Sequence, residues 1–326
     1  MTGEPQEKKE NLIMSFENMF DHEGESQCAS VKAPTSLSLF TAAMSFLFSI
    51  VTVPCNILVC FTIMKSSSQF KSLRTPFTHF IFNLAVTDLL VGALTEPVSV
   101  AYHITEAFSV SSPQLVRILQ VLYFLPCTVS VLSILALTLE RCYAISKPFE
   151  YRTRANGYRV FLAAGMIWLL SPVFLAPYFV MGYRAFSFLF ANVIILVSFC
   201  VLACAYLKII RTLYQGRKFR KENLQRLSTA NQKATLLEEK LTSTFILILI
   251  LFAVCYITPC LLMYIMNLCA PSQCSCHVIH WLRDTSFLAV TLNSAINPLL
   301  YAWRLPSFRR ALSIVISGLA GHEQPS

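Results

Sequence analysis

The sequence predicts an all-α membrane protein: a seven-transmembrane helix bundle followed by a short amphipathic eighth helix. Three observations carry that expectation. Hydrophobic residues make up 55% of the 326 and charged residues only 13%, about half the charged share of a soluble domain. Seven apolar stretches are each long enough to cross a hydrocarbon layer, which takes about 20 residues of helix. The basic residues sit in short clusters between those stretches. A net charge of +9 laid out in this way is not the continuous basic face of a nucleic-acid-binding protein, so no nucleic-acid partner is expected.

The apolar stretches fall at roughly 38–64, 76–103, 112–143, 159–178, 186–214, 236–266 and 282–304. Inside lipid each must satisfy its own backbone hydrogen bonds, which requires helix. A barrel would need alternating segments of about ten residues, and the pattern here is not period two. The first span follows a polar, acidic segment with no cleavable signal peptide and is expected to act as its own insertion signal. The fourth is the shortest, and the fifth is preceded by Arg184. After the seventh, Leu305 to Leu312 alternates apolar and basic residues at helical spacing, the pattern of an interfacial helix. The expected divisions are an extracellular segment 1–37, the bundle 38–304, the amphipathic helix 305–317 and a short cytoplasmic tail 318–326.

Orientation follows from the basic clusters. Lys65, Lys71 and Arg74 lie between the first two spans, and Arg141, Lys147, Arg152 and Arg154 follow the third. Eight basic residues lie between Arg211 and Lys240, and Arg304, Arg309 and Arg310 follow the seventh span. With seven spans all four clusters share one side, which places the start of the chain outside and its end in the cytoplasm of a multi-pass plasma-membrane protein.

Polar residues within the spans are costly unless they face the bundle. Asp88, in the middle of the second span, is expected to point inward toward Asn56, Ser130, Asn293, Ser294 and Asn297. That oxygen-rich set, with one formal negative charge, suits a small hard cation with water or a proton on the aspartate. An inert polar core is the plainer alternative. Arg141 closes the third span and Glu239 opens the sixth on the same side, so an Arg141–Glu239 pair would hold two helix ends in a resting state. Pro259 and Pro298 remove backbone donors and should kink the sixth and seventh spans; Pro97, Pro126, Pro172 and Pro177 are candidates for the same effect elsewhere.

In order along the chain, Asn56, Asn83-Leu84-Ala85 with Asp88, Glu140-Arg141-Cys142, Trp168, Tyr206, Pro259 and Asn297-Pro298 with Tyr301 resemble the rhodopsin-like G-protein-coupled receptors. The resemblance runs from about residue 38 to 312. It implies a receptor that binds an extracellular ligand within the bundle and activates a heterotrimeric G protein by opening the sixth helix. Glu140 and Arg141 resemble the family's switch, with Cys142 replacing a tyrosine, and Glu239 resembles its acidic partner. Tyr206, Pro259, Asn297, Pro298 and Tyr301 resemble the moving parts, and Pro148 and Phe149 a second G-protein contact. Asp88, Ser130, Asn293, Ser294 and Asn297 resemble a pocket for an allosteric sodium ion; no other cofactor is implied.

Several features depart from the family pattern. The third span lacks its outer cysteine, the fifth has Ser198 where a proline is usual, and no tryptophan stands just before Pro259. With a short second outer loop, these features point toward a group containing the melanocortin, adenosine, cannabinoid and lysophospholipid receptors, although the melanocortin acidic cluster is not reproduced. Tyr123 occupies the place of the aspartate used by aminergic receptors, so an amine is not expected. The candidate ligand residues are Glu96, Gln120, Tyr123, Phe124, Cys127, Tyr264, Arg283 and Phe287, a mostly aromatic set suited to a small or amphipathic ligand. For each of them simple packing is an equal alternative.

Four cysteines, Cys28, Cys269, Cys274 and Cys276, lie outside the spans on the expected outer side. Either Cys269–Cys274 with Cys28–Cys276, or Cys269–Cys276 with Cys28–Cys274, would pin the start of the chain over the pocket. The other eight read as small buried apolar residues. His277 and His280 beside these cysteines have a spacing open to zinc, but an oxidising exterior favours disulfides. No nucleophile–base–acid set sits at one membrane depth, so an enzyme is not expected. Two other readings stand: a constitutively active receptor without its own ligand, and a transporter or channel using Asp88. Membrane lipid is an expected partner, and homo- or hetero-dimers are compatible with the sequence.

Overall fold

The computed structural model describes residues 28, 31–66, 75–110, 112–147, 150–151, 157–223, 229–268 and 275–319. The elements are α1 (Thr35–Ser66), α2 (Pro76–Ala107), α3 (Pro113–Ser146), α4 (Gly157–Leu175), α5 (178–223), α6 (Thr229–Leu268), α7 (Cys276–Arg304) and α8 (Pro306–Leu319). Six of them, α1 to α6, are long and apolar enough to cross a membrane on that ground alone. The first turns of α7 carry His277, His280, Arg283 and Asp284 and are more polar. Most observed ends extend the expected ones by a few residues, chiefly at α5, which starts eight residues before the expected 186, whereas α4 stops at Leu175, short of the expected 178.

Local chemistry explains the starts and breaks. Thr75 and Ser112 cap α2 and α3 through their hydroxyls, each followed by a proline in the first turn, where its missing N–H costs nothing. Gly182 has φ 77° and ψ 176°, a backbone region open to glycine, and it breaks the first turns of α5. Two π-helical stretches interrupt otherwise regular helices, Val91–Thr95 in α2 and Phe190–Leu196 in α5. The first ends two residues before Pro97. The second forms although α5 has Ser198 and no proline. Pro177 lies in the turn between α4 and α5, whereas helix continues through Pro126, Pro172, Pro259 and Pro298, and through Pro54 in α1.

The helices form a ring closed by packing of α7 against α1, with α3 in contact with α2, α4 and α5. Phe77, Leu84, Phe124, Leu137, Phe252 and Tyr301 are fully or almost fully buried at its centre. Its outer surface is a belt of exposed apolar side chains such as Phe161, Leu169, Val173, Phe179 and Val180, a surface suited to acyl chains. Among the cysteines, Cys127, Cys255 and Cys260 are buried as expected, but Cys200 and Cys204 are exposed on that belt. A residue placed on the lipid face of α5 is apolar for the membrane's sake, which periodic burial in a core does not require. Helix α8 lays Phe308, Ala311 and Val315 inward and leaves Arg309 and Arg310 exposed, and it packs against α1 and α7.

Gly92 lies where the π-helical stretch of α2 meets α1. A Cβ there would sit 2.9 Å from Thr52 Cγ2 and 3.0 Å from Val53 Cγ2, while Ser49 donates a 2.7 Å hydrogen bond to the Gly92 carbonyl. Gly165 has nothing within 4 Å of such a Cβ. Gly92→Ala should therefore destabilise the protein by about 1–3 kcal/mol through overpacking. Gly165→Ala should leave the midpoint of thermal unfolding in detergent unchanged or slightly raised.

Candidate functional site

Three polar assemblies are stacked along the bundle, from the end near Cys28 to the end near Arg141. At the first end a disulfide joins Cys28 to Cys276, which selects one of the two pairings the sequence left open. Cys269 and Cys274 lie outside the described residues. The His280 ring lies 3.0 Å from the Val31 carbonyl, a second tie between α7 and the start of the chain.

Beneath the disulfide, α1, α2 and α7 share a charged network. Arg283 Nη2 donates to Glu106 Oε1 at 2.9 Å, its Nε to Asp284 Oδ1 at 2.7 Å, and its Nη1 to the Tyr102 hydroxyl at 2.9 Å. Ser38 donates to Glu106 Oε2 at 2.7 Å and Thr41 to Asp284 Oδ2 at 3.1 Å. His103 Nδ1 lies 3.1 Å from Glu106 Oε2. Of the residues here the sequence singled out Arg283 alone. His103, Glu106 and Asp284 were missed because charges near span ends read as solvent-facing; the i,i+3 placement of His103 and Glu106 on one helix face was the available signal.

At mid-depth a narrow cavity is lined by Thr95, Tyr123, Cys127, Ser130, Tyr256, Thr291 and Ser294, among others. The Tyr123 ring lies 5.6 Å from that of Phe287. Of the candidate ligand residues, Tyr123 and Cys127 line this space. Phe124 turns away into a cluster with Tyr178, Tyr183, Phe186 and Phe190. Gln120 accepts a hydrogen bond from Tyr178 at 2.5 Å, and Tyr264 donates to Asn192. Glu96 is fully buried on α2 with neither carboxylate oxygen in a hydrogen bond, and the Ser45 and Thr291 hydroxyls lie beside it.

Tyr256 is the aromatic that α6 presents to this cavity. It stands three residues before Pro259, is 2% exposed, and stacks on Phe252 at 4.1 Å; Ile257 points outward at 45% exposure. The sequence registered only the missing tryptophan. The spacing of Phe252, Cys255, Tyr256 and Pro259 along one helix face could have identified it.

Asp88 lies at the side of the cavity. Asn297 Nδ2 donates to Asp88 Oδ2 at 2.9 Å, while Asp88 Oδ1 is buried without a hydrogen bond. Asn56 Nδ2 reaches the Thr52 and Ser294 carbonyls at 3.0 and 3.3 Å. Ser130, Asn293, Ser294 and Asn297 are all buried. Nearby, Asn83 joins Ser133 at 2.8 Å and Trp168 at 3.0 Å, tying α2 to α3 and α4.

Arg141, at the second end, is 1% exposed and does not snorkel. Its Nε and Nη2 donate to Glu140 at 2.5 and 2.6 Å, and Nη2 reaches the Tyr151 hydroxyl at 3.1 Å. Tyr151 also donates to Glu140, and the guanidinium lies 5.0 Å from the centre of the Phe77 ring. Glu140, its chain neighbour, and Tyr151 thus both hold Arg141. The side chain of Glu239, the expected partner, and Pro148 and Phe149 lie outside the described residues. Arg304 Nη2 donates to Ser243 at 2.8 Å, joining α7 to α6. Tyr301 is fully buried with its hydroxyl free of hydrogen bonds, and Tyr206 is half-buried.

A family model described as seven-transmembrane receptor (rhodopsin family) matches residues 55–301. Among curated proteins, the muscarinic acetylcholine receptor gar-2 of Caenorhabditis elegans is 31% identical over 150 residues, 46% of this chain and 23% of that receptor. The octopamine receptor of Heliothis virescens is 32% identical over 148 residues, 45% of this chain and 30% of that receptor. The human D(4) dopamine receptor is 31% identical over 122 residues, 37% of this chain and 28% of that receptor. The chain thus spans between about a quarter and a third of the length of these relatives. They correct the expected kinship: the relatives are aminergic receptors, not members of the melanocortin, adenosine, cannabinoid and lysophospholipid group.

The charged network sets a stability expectation. Arg283→Ala would leave Glu106 and Asp284, 13% and 2% exposed, without their shared cation, a loss on the order of 3 kcal/mol. Detergent thermal unfolding should show a large drop. Adding Asp284→Asn to that variant should recover part of it, since one of the two stranded charges is then gone.

Proposed function

The chain belongs to the rhodopsin family of seven-transmembrane receptors, and from that premise we propose that it binds a small molecule within the bundle and activates a heterotrimeric G protein by opening α6 at the Arg141 end. The observation that carries this reading is the closed state of that end. Arg141 is buried against Phe77, clasped by Glu140 and Tyr151, while Arg304 joins α7 to Ser243 of α6. A partner helix that engaged Arg141 would have to release these contacts, which gives a closed and an open state for a ligand to bias. The basic clusters around residues 65–74, 141–154, 211–240 and 304–310 support a cytoplasmic location for this end, with the disulfide outside.

The ligand chemistry follows from the cavity and the relatives together. Tyr123 and Tyr256 at the cavity, with Phe287 against Tyr123, favour an aromatic body. The related receptors are named for small amines, yet the one carboxylate of α3, Glu140, is at the far end against Arg141 and none faces the cavity. Glu96, buried on α2, has both oxygens free of hydrogen bonds and stands beside the Thr291 hydroxyl of the cavity wall. We therefore take a small cationic aromatic molecule as the ligand, its charge met by Glu96 rather than from α3.

A sodium ion beside Asp88 fits the same reading. The carboxylate has one oxygen free of hydrogen bonds, and Ser130 and Ser294 open on the adjoining cavity. Asn293 and Asn297 complete an all-oxygen donor set of the kind hard cations select. Held there, the ion would supply positive charge to Asp88 and favour the resting state.

Two measurements test this. At matched surface expression, a panel of G-protein activation sensors, cyclic AMP included, should report basal or ligand-driven signal from the intact chain and none from Arg141→Ala. Tyr151→Phe removes hydrogen bonds to charged groups, so it should raise basal signal severalfold. Failure of every sensor, with agonist screens also silent, would reject G-protein activation. In purified receptor, replacing potassium by sodium should raise the unfolding temperature, and Asp88→Asn should abolish that difference. An equal response in both proteins would remove the sodium site.

A further inference from the structure

The network at the disulfide end holds three metal-ligating groups of unlike chemistry. Nδ1 of His103 and one carboxylate oxygen each from Glu106 and Asp284 lie within 4.8 Å of one another. The imidazole is 3.1 Å from Glu106 Oε2 and 3.8 Å from Asp284 Oδ2. In a tetrahedral zinc site with bonds of roughly 2.0–2.1 Å, neighbouring ligand atoms stand about 3.3–3.4 Å apart. The two separations that involve His103 bracket that spacing, and the two carboxylate oxygens, within 4.8 Å of each other, are the pair that metal binding would draw together. His103 and Glu106 are one helical turn apart on α2, and Asp284 comes from α7.

We propose that His103, Glu106 and Asp284 form a zinc site that clamps α2 to α7. Arg283 does not compete for the same atoms. It holds Glu106 Oε1 and Asp284 Oδ1, which leaves Oε2 and Oδ2 facing His103. Two carboxylates against one guanidinium also leave the cluster with one excess negative charge when His103 is neutral, an excess a divalent cation more than removes. Binding through Nδ1 requires the imidazole proton on Nε2, and Ser38 and Thr41 can keep donating to Oε2 and Oδ2 through the oxygens' remaining lone pairs. One imidazole with two carboxylates favours zinc over calcium or magnesium, which select all-oxygen sets. Three protein ligands leave the fourth position for water. The ion would tie α2 and α7 beside the Cys28–Cys276 disulfide and so restrain the mouth of the bundle.

The test uses the full chain in lipid nanodiscs with zinc alone as the probe, after blocking free thiols. The expected result is one zinc retained per receptor after desalting. Zinc should also raise the unfolding temperature where calcium and magnesium at equal concentration do not. X-ray absorption at the zinc edge should show nitrogen and oxygen neighbours at about 2.0–2.1 Å and no sulfur near 2.3 Å. His103→Gln, whose amide can still donate to Glu106, should weaken binding at least tenfold, and His277→Ala should leave it unchanged. No retained zinc in the intact chain, sulfur in the first shell, or equal binding by His103→Gln would each overturn the site. The intact-chain readings stand even where a variant fails to fold.

Discussion

A polar group at mid-membrane depth can be satisfied only from within the bundle, and the interior of this protein is arranged around that constraint. Asp88 cannot turn to lipid, so it meets Asn297 across the α2–α7 contact. The same logic recurs along the seam of α1, α2 and α7: Thr41 with Asp284, Ser45 with Ser99, and Asn56 with the Ser294 carbonyl. Each pair joins different helices, so the seam specifies which helices are neighbours as well as stabilising them. The opposite wall is built differently. Between α3, α4 and α5 the core is a stack of rings around Phe124, with Phe186 edge-on at 4.9 Å and Phe190 at 5.2 Å. Edge-to-face packing of this kind adds contact energy without requiring partners for buried polar atoms.

Among the described residues the orphaned buried oxygens fall on the polar side. Asn56 Oδ1, Asp88 Oδ1, both oxygens of Glu96 and the Tyr301 hydroxyl are buried without hydrogen bonds, and all belong to α1, α2 or α7. A bundle evolved only for stability would gain by satisfying or deleting them. Those of Asp88 and Glu96, beside the cavity, are what a site needs if ligand, ion or rearrangement is to supply the missing partner. The aromatic wall then serves as the fixed frame against which that side changes.

How much of this was legible in the sequence depended on whether a residue's environment follows from its depth. Asp88 with Asn297, and the inward placement of Asn56, Ser130, Asn293 and Ser294, follow from the cost of polarity in hydrocarbon. The seven spans and α8 follow from apolar length and helical spacing. Depth says little near the helix ends, where water and interior are both within reach. His103, Glu106 and Asp284 were therefore passed over, as were Glu140 and Tyr151 as partners of Arg141. The π-helical stretches were invisible because one extra residue per turn leaves composition unchanged. Gly92, in tight contact with Thr52 and Val53, marks one of them only once the structure is known.

The same contrast bears on which helix moves. Helix α1 is fastened to α2 and α7 by directional contacts at several depths, from the Cys28–Cys276 bond through Thr41 and Asn56 to the packing of α8. Hydrogen bonds of this kind have one geometry and fail when a helix slides. Helix α6 is tied by Tyr264 to Asn192 near one end and by Ser243 to Arg304 near the other. Between those ties it presents Ile248, Phe252, Cys255, Tyr256, Cys260 and Met263, all buried. Most of that face interacts by dispersion, which is summed over many weak contacts and tolerates small rotations. Tyr256 is placed where a molecule in the cavity would touch it, stacked on Phe252 one turn nearer Arg141. Pressure on Tyr256 is thus passed along α6 by ring contact, and at the far end it works against the Arg304–Ser243 bond.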